Sequence, residues 1–375
     1  MVFSTFGVTV TASVFALVVS ALLIVLILWL SHKYSWYDVR DSRKVHTEDV
    51  PRLGGVGLYF SFFICIIALL FIVPGFSFSS RLVFLLLGFM LVHLMGLVDD
   101  FHPIPALVKL LGQIAGGVLL VLGTIQIRGI ALPFLPFGFG LGFLAAPLTV
   151  FWVISVSNAI NLIDGLDGIA GGVSLICAIA VGIIHMMIGS DIGIVYSFTL
   201  AGAIAGFMLF NLPRARIFMG DSGSLFLGFA LGGLLFIDVP AVETATGFSA
   251  NETLPLNWYF FFASLTMLLL PVMDMLASIL RRVRQKRPVH SPDREHLHHK
   301  LLDFGFSLPQ ILLIVYGIVL LSSGVAVLWL ASRIWPATIP ALAGDMAVFT
   351  VWVFITAFFL VIHFTNRRRK RLKAS

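Results

Sequence analysis

Long apolar stretches dominate this chain, and short clusters of charged residues, proline and glycine separate them. Many of the stretches run for about 17 to 25 residues, the length a helix needs to cross the hydrocarbon core of a bilayer. Counting them predicts eleven spans, at approximately 8–30, 55–74, 82–98, 105–123, 143–160, 168–189, 193–210, 223–237, 259–280, 309–332 and 345–364. The expected fold is an all-α polytopic membrane protein with about eleven transmembrane helices. It forms a single integral membrane domain over residues 1–375, with a basic tail at about 365–375. The first run has no Lys or Arg before it and is longer than the apolar part of a signal peptide, so it is expected to be retained as a span.

Composition supports this choice of solvent. Hydrophobic residues make up 59% of the chain and charged residues 11%, and the mean hydropathy is +1.05. That is more apolar surface than a soluble core can bury. Cys65 and Cys177 both fall inside apolar runs and read as small buried hydrophobes, with no disulfide or zinc framework.

Charge supplies the orientation. Of 24 Lys and Arg residues, twenty fall in the connections after spans one, seven and nine and in the RRRKRLK tail, all on one face; Arg81, Arg128 and Arg333 lie on the other, and Lys109 opens span four. The positive-inside rule therefore predicts an external N-terminus and a cytoplasmic C-terminus. The net charge of +6 is accounted for by topology and contact with anionic headgroups, without nucleic acid.

Against this background the scarce acids stand out. Asp99-Asp100, Asp164 with Asp167, and Asp221 lie at predicted cytoplasmic span ends. In GLVDDFHPIP, Pro103 and Pro105 stop the preceding helix and display an acid pair that favours a cation, with Lys109 close by as a phosphate contact or a snorkelling anchor. In NAINLIDGLDGIAGG, Asn161, Asp164 and Asp167 recur every three residues, a spacing that makes them neighbours on a helical turn. Oxygen ligands beside glycine suit Mg²⁺ and a phosphate. RIFMGDSGSLFLG offers Asp221 either as a metal ligand or as the cap of the next span. In SPDREHLHHKLLDFGF, Arg294, His296, His298, His299 and Lys300 form a flexible basic pocket suited to diphosphate oxygens or proton donation; zinc is disfavoured, because no HExxH spacing or cysteine accompanies it. His93, His185 and His363 lie within apolar runs and read as packing residues.

The ordered set RKVHTEDVPRLGG, GLVDD, NAINLIDGLDG, FMGDSGSL and DREHLHHKLLDFGFS resembles the polyprenyl-phosphate N-acetylhexosamine-1-phosphate transferase family, across essentially the whole chain. VPRLGG and the His-Leu-His-His string are similar to its WecA/TagO-like branch rather than to the related phospho-MurNAc-pentapeptide transferases. The resemblance implies transfer of an N-acetylhexosamine 1-phosphate, most commonly GlcNAc-1-phosphate, from a UDP-sugar to polyprenyl phosphate at the cytoplasmic face of a bacterial inner membrane. It implies Mg²⁺, with Mn²⁺ as the alternative, held by Asp221 and Asn161. It makes Asp99, Asp100, Asp164 and His298 catalytic, and Lys44, His46, Lys109, Asp167, Arg294, His296 and His299 substrate-binding. It also implies a homodimer. The competing expectation is a cation- or proton-coupled transporter, for which Asp274 is the one acid that fits a relay, although Asp274 can equally pair with Arg281, Arg282 or the backbone.

Overall fold

The computed structural model describes residues 5–36, 50–73, 79–237, 254–288 and 295–374, with side chains described to 366. Lys44, His46, Arg294 and the side chains of the basic tail lie outside the described residues. The expected runs become helices: α1 (Thr5–Tyr34), α2 (Gly54–Ile72), α3 (Ser80–Phe101), α4 (Ala106–Leu122), α5 (Ala145–Ile163), α6 (Ile169–Ile188), α7 (Asp191–Asn211) and α8 (Gly220–Leu234). After these come α9 (Asn257–Met267), α10 (Leu269–Arg284), a short α11 (Leu297–Asp303), α12 (Leu308–Ile334) and α13 (Ala341–Ala374). Among the described residues, eight helices are long and apolar enough to cross a membrane, or nine if the bent pair α9–α10 is one span. The protein is a mostly helical, polytopic membrane protein.

Sequence chemistry sets several of the boundaries. Ser79 caps α3 by accepting a hydrogen bond from the Leu82 amide at 3.2 Å. Pro105 precedes α4, and Ser307 and Gln310 close a capping box on α12. The lipid-facing helices keep large apolar side chains exposed, among them Leu22 and Trp29 on α1 and Leu107 and Leu111 on α4.

At the centre lies α8, flanked by α2, α3 and α5. Every residue from Ser222 to Leu234 is buried, the pattern of a helix enclosed by protein on all sides. Its 15 residues give a helix of about 22 Å, shorter than the ~30 Å hydrocarbon core. It can be short because neighbouring helices rather than lipid surround it.

Two features depart from the expected helical layout. The connection over 124–142 contains a two-stranded antiparallel hairpin, β1 (Gly129–Ala131) and β2 (Gly138–Gly140), with Gly129 opposite Gly140. Asn257 pins it, accepting from the Arg128 amide at 2.7 Å and donating to the Gln126 carbonyl at 3.1 Å. The predicted span 259–280 is not straight either: α9 and α10 meet at a 71° bend. Pro271 explains the break, because it has no amide hydrogen to offer the carbonyl of Met267 four residues earlier. Ser322 Oγ on α12 reaches that carbonyl at 3.3 Å and shares its one proton between it and the Val319 carbonyl of its own helix at 3.1 Å.

Candidate active site

The end of α3 meets the start of α8, and the acid pair divides its work between them. Asp99 and Asp100 occupy the last turn of α3 rather than the turn beyond it. Adjacent helical residues point about 100° apart, so the two carboxylates face different partners. Asp100 accepts from the backbone amides of Asp221 at 2.7 Å and Ser222 at 3.0 Å, capping α8 from a neighbouring helix. Asp99 accepts from the Ile104 amide at 2.9 Å and from Lys109 Nζ at 2.5 Å. His93, expected to be a packing residue, is buried and donates from Nδ1 to the Ser222 carbonyl at 3.1 Å, while its ring stacks on Tyr59 at 3.8 Å. It therefore fixes the same turn of α8.

Lys109 is the hinge of the charge arrangement. Its ammonium donates both to Asp99 and to Asp221, the latter at 2.9 Å, tying the first turn of α4 to the first turn of α8. Arg52 approaches the other oxygen of Asp221 at 3.8 Å. The sequence leaves Arg52 unmarked except as part of VPRLGG. That segment is positioned by backbone pairing with FMGD, through Phe218 N to Pro51 O at 2.8 Å, Gly54 N to Phe218 O at 2.9 Å and Gly55 N to Met219 O at 2.8 Å.

Gly220 makes the junction possible. Its φ is +73°, a left-handed conformation that disfavours any side chain, and a Cβ there would lie 2.3 Å from the Arg52 carbonyl and 2.5 Å from an Asp100 carboxylate oxygen.

The NAINLIDGLDG string does not form one helical face. Asn161 lies in α5, which ends at Ile163, whereas Asp164 and Asp167 fall in the turn before α6. The glycines interrupt the helical period, and Gly168 adopts φ +79°. Asn161 Nδ2 donates to Ser224 Oγ at 2.9 Å, and that hydroxyl donates to the Gly220 carbonyl at 2.9 Å, so Asn161 reaches the α8 turn through one side chain. Asp167 is buried and accepts from the Ala215 amide at 3.0 Å, supporting the 212–217 connection. Asn211 completes that support, accepting from Gly168 N at 3.1 Å and donating to Ile217 O at 2.9 Å.

Asp164 has its carboxyl pushed up to about 7, chiefly by burial. Arg52 opposes the shift, and Asp221, Asp100 and Asp167 add to it. The sign follows from linkage: an acid at about 7 in the fold and 3.8 when unfolded adds nothing below both values and costs stability increasingly as pH rises between them. Metal-free protein is therefore expected to lose on the order of 2 kcal/mol from pH 5 to 8, allowing for solvent screening. Thermal unfolding of Asp164→Asn in detergent should be flatter over that range, and an equally steep slope in the variant would remove Asp164 as its cause.

The histidines do not form a flexible basic pocket. His296 and His298 are buried, and their rings lie parallel at 5.8 Å. Burial, followed by the neighbouring His299, pushes His298 down to about 3, so it is a neutral imidazole near pH 7. Its Nε2 is buried without a hydrogen-bond partner and abuts the aspartate-rich turn, where a Cβ on Gly165 would lie only 2.4 Å away. Lys300 turns aside, its Nζ 5.5 Å from the Phe359 ring and 3.4 Å from His363 Nδ1. Asp274 pairs with neither Arg281 nor Arg282; it accepts from His296 Nδ1 and from the Leu297 amide, each at 2.9 Å.

These contacts gather Asp99, Asp100, Lys109, Asn161, Asp164 and Asp221 at one end of the bundle, with the histidine helix bordering it through Gly165. Among the described residues, no three His, Cys, Asp or Glu side chains form a ready-made metal cage. The arrangement is a cluster of paired acids and bases that meets the buried start of a central helix.

The sequence pattern of glycosyl transferase family 4 matches residues 82–239, from within the first turn of α3 to beyond the end of α8. A probable undecaprenyl-phosphate N-acetylglucosaminyl 1-phosphate transferase of Bacillus subtilis is 32% identical over 298 residues, covering 80% of this chain and 78% of that protein. The decaprenyl-phosphate N-acetylglucosaminephosphotransferase of Mycolicibacterium smegmatis is 34% identical over 298 residues, 73% of this chain and 70% of the relative. The undecaprenyl-phosphate alpha-N-acetylglucosaminyl 1-phosphate transferase of Escherichia coli K12 is 28% identical over 346 residues, 91% and 89% of the two chains. The chain belongs to glycosyl transferase family 4, the polyprenyl-phosphate N-acetylhexosamine-1-phosphate transferases that its motifs resemble.

Proposed function

We propose that this protein transfers GlcNAc-1-phosphate from UDP-GlcNAc to a polyprenyl phosphate, releasing UMP and starting an envelope polysaccharide. The names of the relatives support the reaction. The observation that carries the assignment to this site is Lys109 held between Asp99 and Asp221, with Arg52 on the far side of Asp221. A lipid phosphate oxygen attacks the sugar-bearing phosphorus of the nucleotide, a new P–O bond forms, and the bond to the oxygen shared with the uridine phosphate breaks. Two anions must approach, so positive groups at the meeting point lower the barrier. Lys109 and Arg52 are those groups. Asp100 acts by holding the α8 turn, and Asp167 by holding the 212–217 connection.

The donor set fits Mg²⁺ or Mn²⁺: hard oxygens predominate, and Mg²⁺ commonly takes one or two carboxylates, with substrate phosphates and water completing its shell. Asp221 would hold it, with Asn161 as the second ligand through the carbonyl oxygen opposite the amide bound to Ser224. Bound there, the ion would polarise the phosphoryl oxygens and neutralise charge as the bond breaks. His298, neutral and unpartnered at Nε2, is suited to donate or accept one hydrogen bond at the edge of the aspartate turn.

The eleven-span layout, with external N-terminus, cytoplasmic C-terminus and the site facing the cytoplasm, belongs to the same proposal, as do the inner-membrane location and the homodimer. The acceptor attacks directly, without a phospho-sugar on an enzyme carboxylate; trapping such an adduct would overturn that step. The deciding assay combines purified protein, radiolabelled UDP-GlcNAc, undecaprenyl phosphate and Mg²⁺. Label is expected in the lipid fraction and lost on EDTA treatment. No lipid product from a panel of UDP-sugars would refute the function, and undiminished product after complete metal removal would refute the cation.

A further inference from the structure

Asp274 is a buried acid that the proposed reaction does not use. It lies on α10, where the 71° bend and Pro271 carry it to the histidine segment. Both carboxylate oxygens are engaged there: Oδ2 with His296 Nδ1 and Oδ1 with the Leu297 amide, each at 2.9 Å. Leu297 is the first residue of the short α11, and His296 at its N-cap makes no side-chain cap of its own. The amide that the helix leaves unmet is thus satisfied from α10. One helical face carries a second tether, since Arg281, seven residues after Asp274, bridges Glu295 at 3.5 Å.

The contact with His296 has a chemical consequence. An ionised carboxylate only accepts hydrogen bonds, so His296 must carry a hydrogen on Nδ1; in the neutral ring the lone pair is then on Nε2. The contact with Leu297 has a geometric one. It fixes where α11 begins, and the next residue is His298, whose ring abuts Gly165 in the turn bearing Asp164 and Asp167. A cavity of about 20 Å³ lined by Asp274, His298, Leu297 and Pro271 leaves room for roughly one water, so the cluster is closely packed around the carboxylate.

We propose that Asp274 is the positioning residue of the histidine segment: its carboxylate sets the tautomer of His296 and holds the start of α11, so that His298 meets the aspartate turn. The catalytic part of this assignment rests on the proposed transferase function. Two substitutions separate the two jobs. Asp274→Asn keeps the shape and an acceptor for the Leu297 amide but turns a donor toward His296 Nδ1, forcing the opposite tautomer. Asp274→Ala removes both contacts.

Asp274→Asn is expected to lower kcat about tenfold or more, with KM for UDP-GlcNAc changed less than about threefold, a split that simple misfolding does not give. In a His296→Gln background the same substitution should cost no further activity, because the tautomer it perturbs is gone. Wild-type kcat in Asp274→Asn, or an equal loss in both backgrounds, would overturn the tautomer role. Hydrogen exchange tests the helix role without turnover: Asp274→Ala should speed exchange across 295–303, while Asp274→Asn leaves it near wild type. Unchanged exchange in Asp274→Ala would overturn that role. If the wild-type protein makes no lipid-linked product, the proposed function fails, and the exchange experiment still judges the placement of α11.

Discussion

On the proposed function, Lys109→Met is expected to lower transfer from UDP-GlcNAc onto polyprenyl phosphate by about a thousandfold, at the upper end of what loss of one preorganised electrostatic group costs. The size follows from the double contact. One ammonium bridges Asp99 and Asp221, so its removal leaves two partly buried carboxylates near each other with no shared counter-charge and takes a positive charge from the proposed path of the incoming phosphates. Stability falls as well, by roughly 1–3 kcal/mol, the usual cost of leaving a partly buried partner unmet. Adding Asp99→Asn to the variant should recover much of that stability and none of the turnover. Lys109→Arg is also expected to be impaired, because a planar guanidinium cannot occupy the position of a compact ammonium between two carboxylates. The measurement is label in the lipid fraction beside a thermal unfolding curve. Turnover within threefold of wild type in Lys109→Met would remove Lys109 from the reaction.

Gly220→Ala has the largest expected effect on folding, with activity falling alongside. The left-handed backbone alone costs an L residue about 1–2 kcal/mol. Here the new methyl also meets the Arg52 carbonyl at 2.3 Å and Asp100 at 2.5 Å, so the VPRLGG pairing or the Asp100 cap must give way. A total of about 3 kcal/mol or more follows when a lost cap adds its usual ~1 kcal/mol. Gly305 supplies the control: its φ is +90°, but nothing lies within 4 Å of a Cβ there. Gly305→Ala should show the backbone cost alone. Equal melting temperatures for the two variants would mean that the contact with Arg52 and Asp100 carries no energy.

The helices were legible because each apolar run is long enough to announce itself, and all eleven runs coincide with a helix or with the bent pair. The bend was less so. Pro271 is visible in the sequence, but the hydroxyl that stabilises the break comes from Ser322, on another helix. The same division runs through the site. Residue types suited to phosphate and cation were readable, and Lys109 does contact two of the acids. What local spacing conceals is tertiary pairing: Asp100 caps a helix 121 residues away, Arg52 reaches Asp221 through backbone pairing of two segments, and Asp274 serves the histidines. The regular spacing of Asn161, Asp164 and Asp167 misled, because glycine ended the helix before the period could act.

The Met267 carbonyl also couples two parts of the chain that are made at different times. Ser322 follows Met267 by 55 residues, so the hydroxyl is made after the α9–α10 pair whose carbonyl it meets. An unmet carbonyl in hydrocarbon costs several kcal/mol, and Pro271 leaves this one unmet whether the pair is straight or bent, so α12 offsets part of that cost when it packs beside the pair.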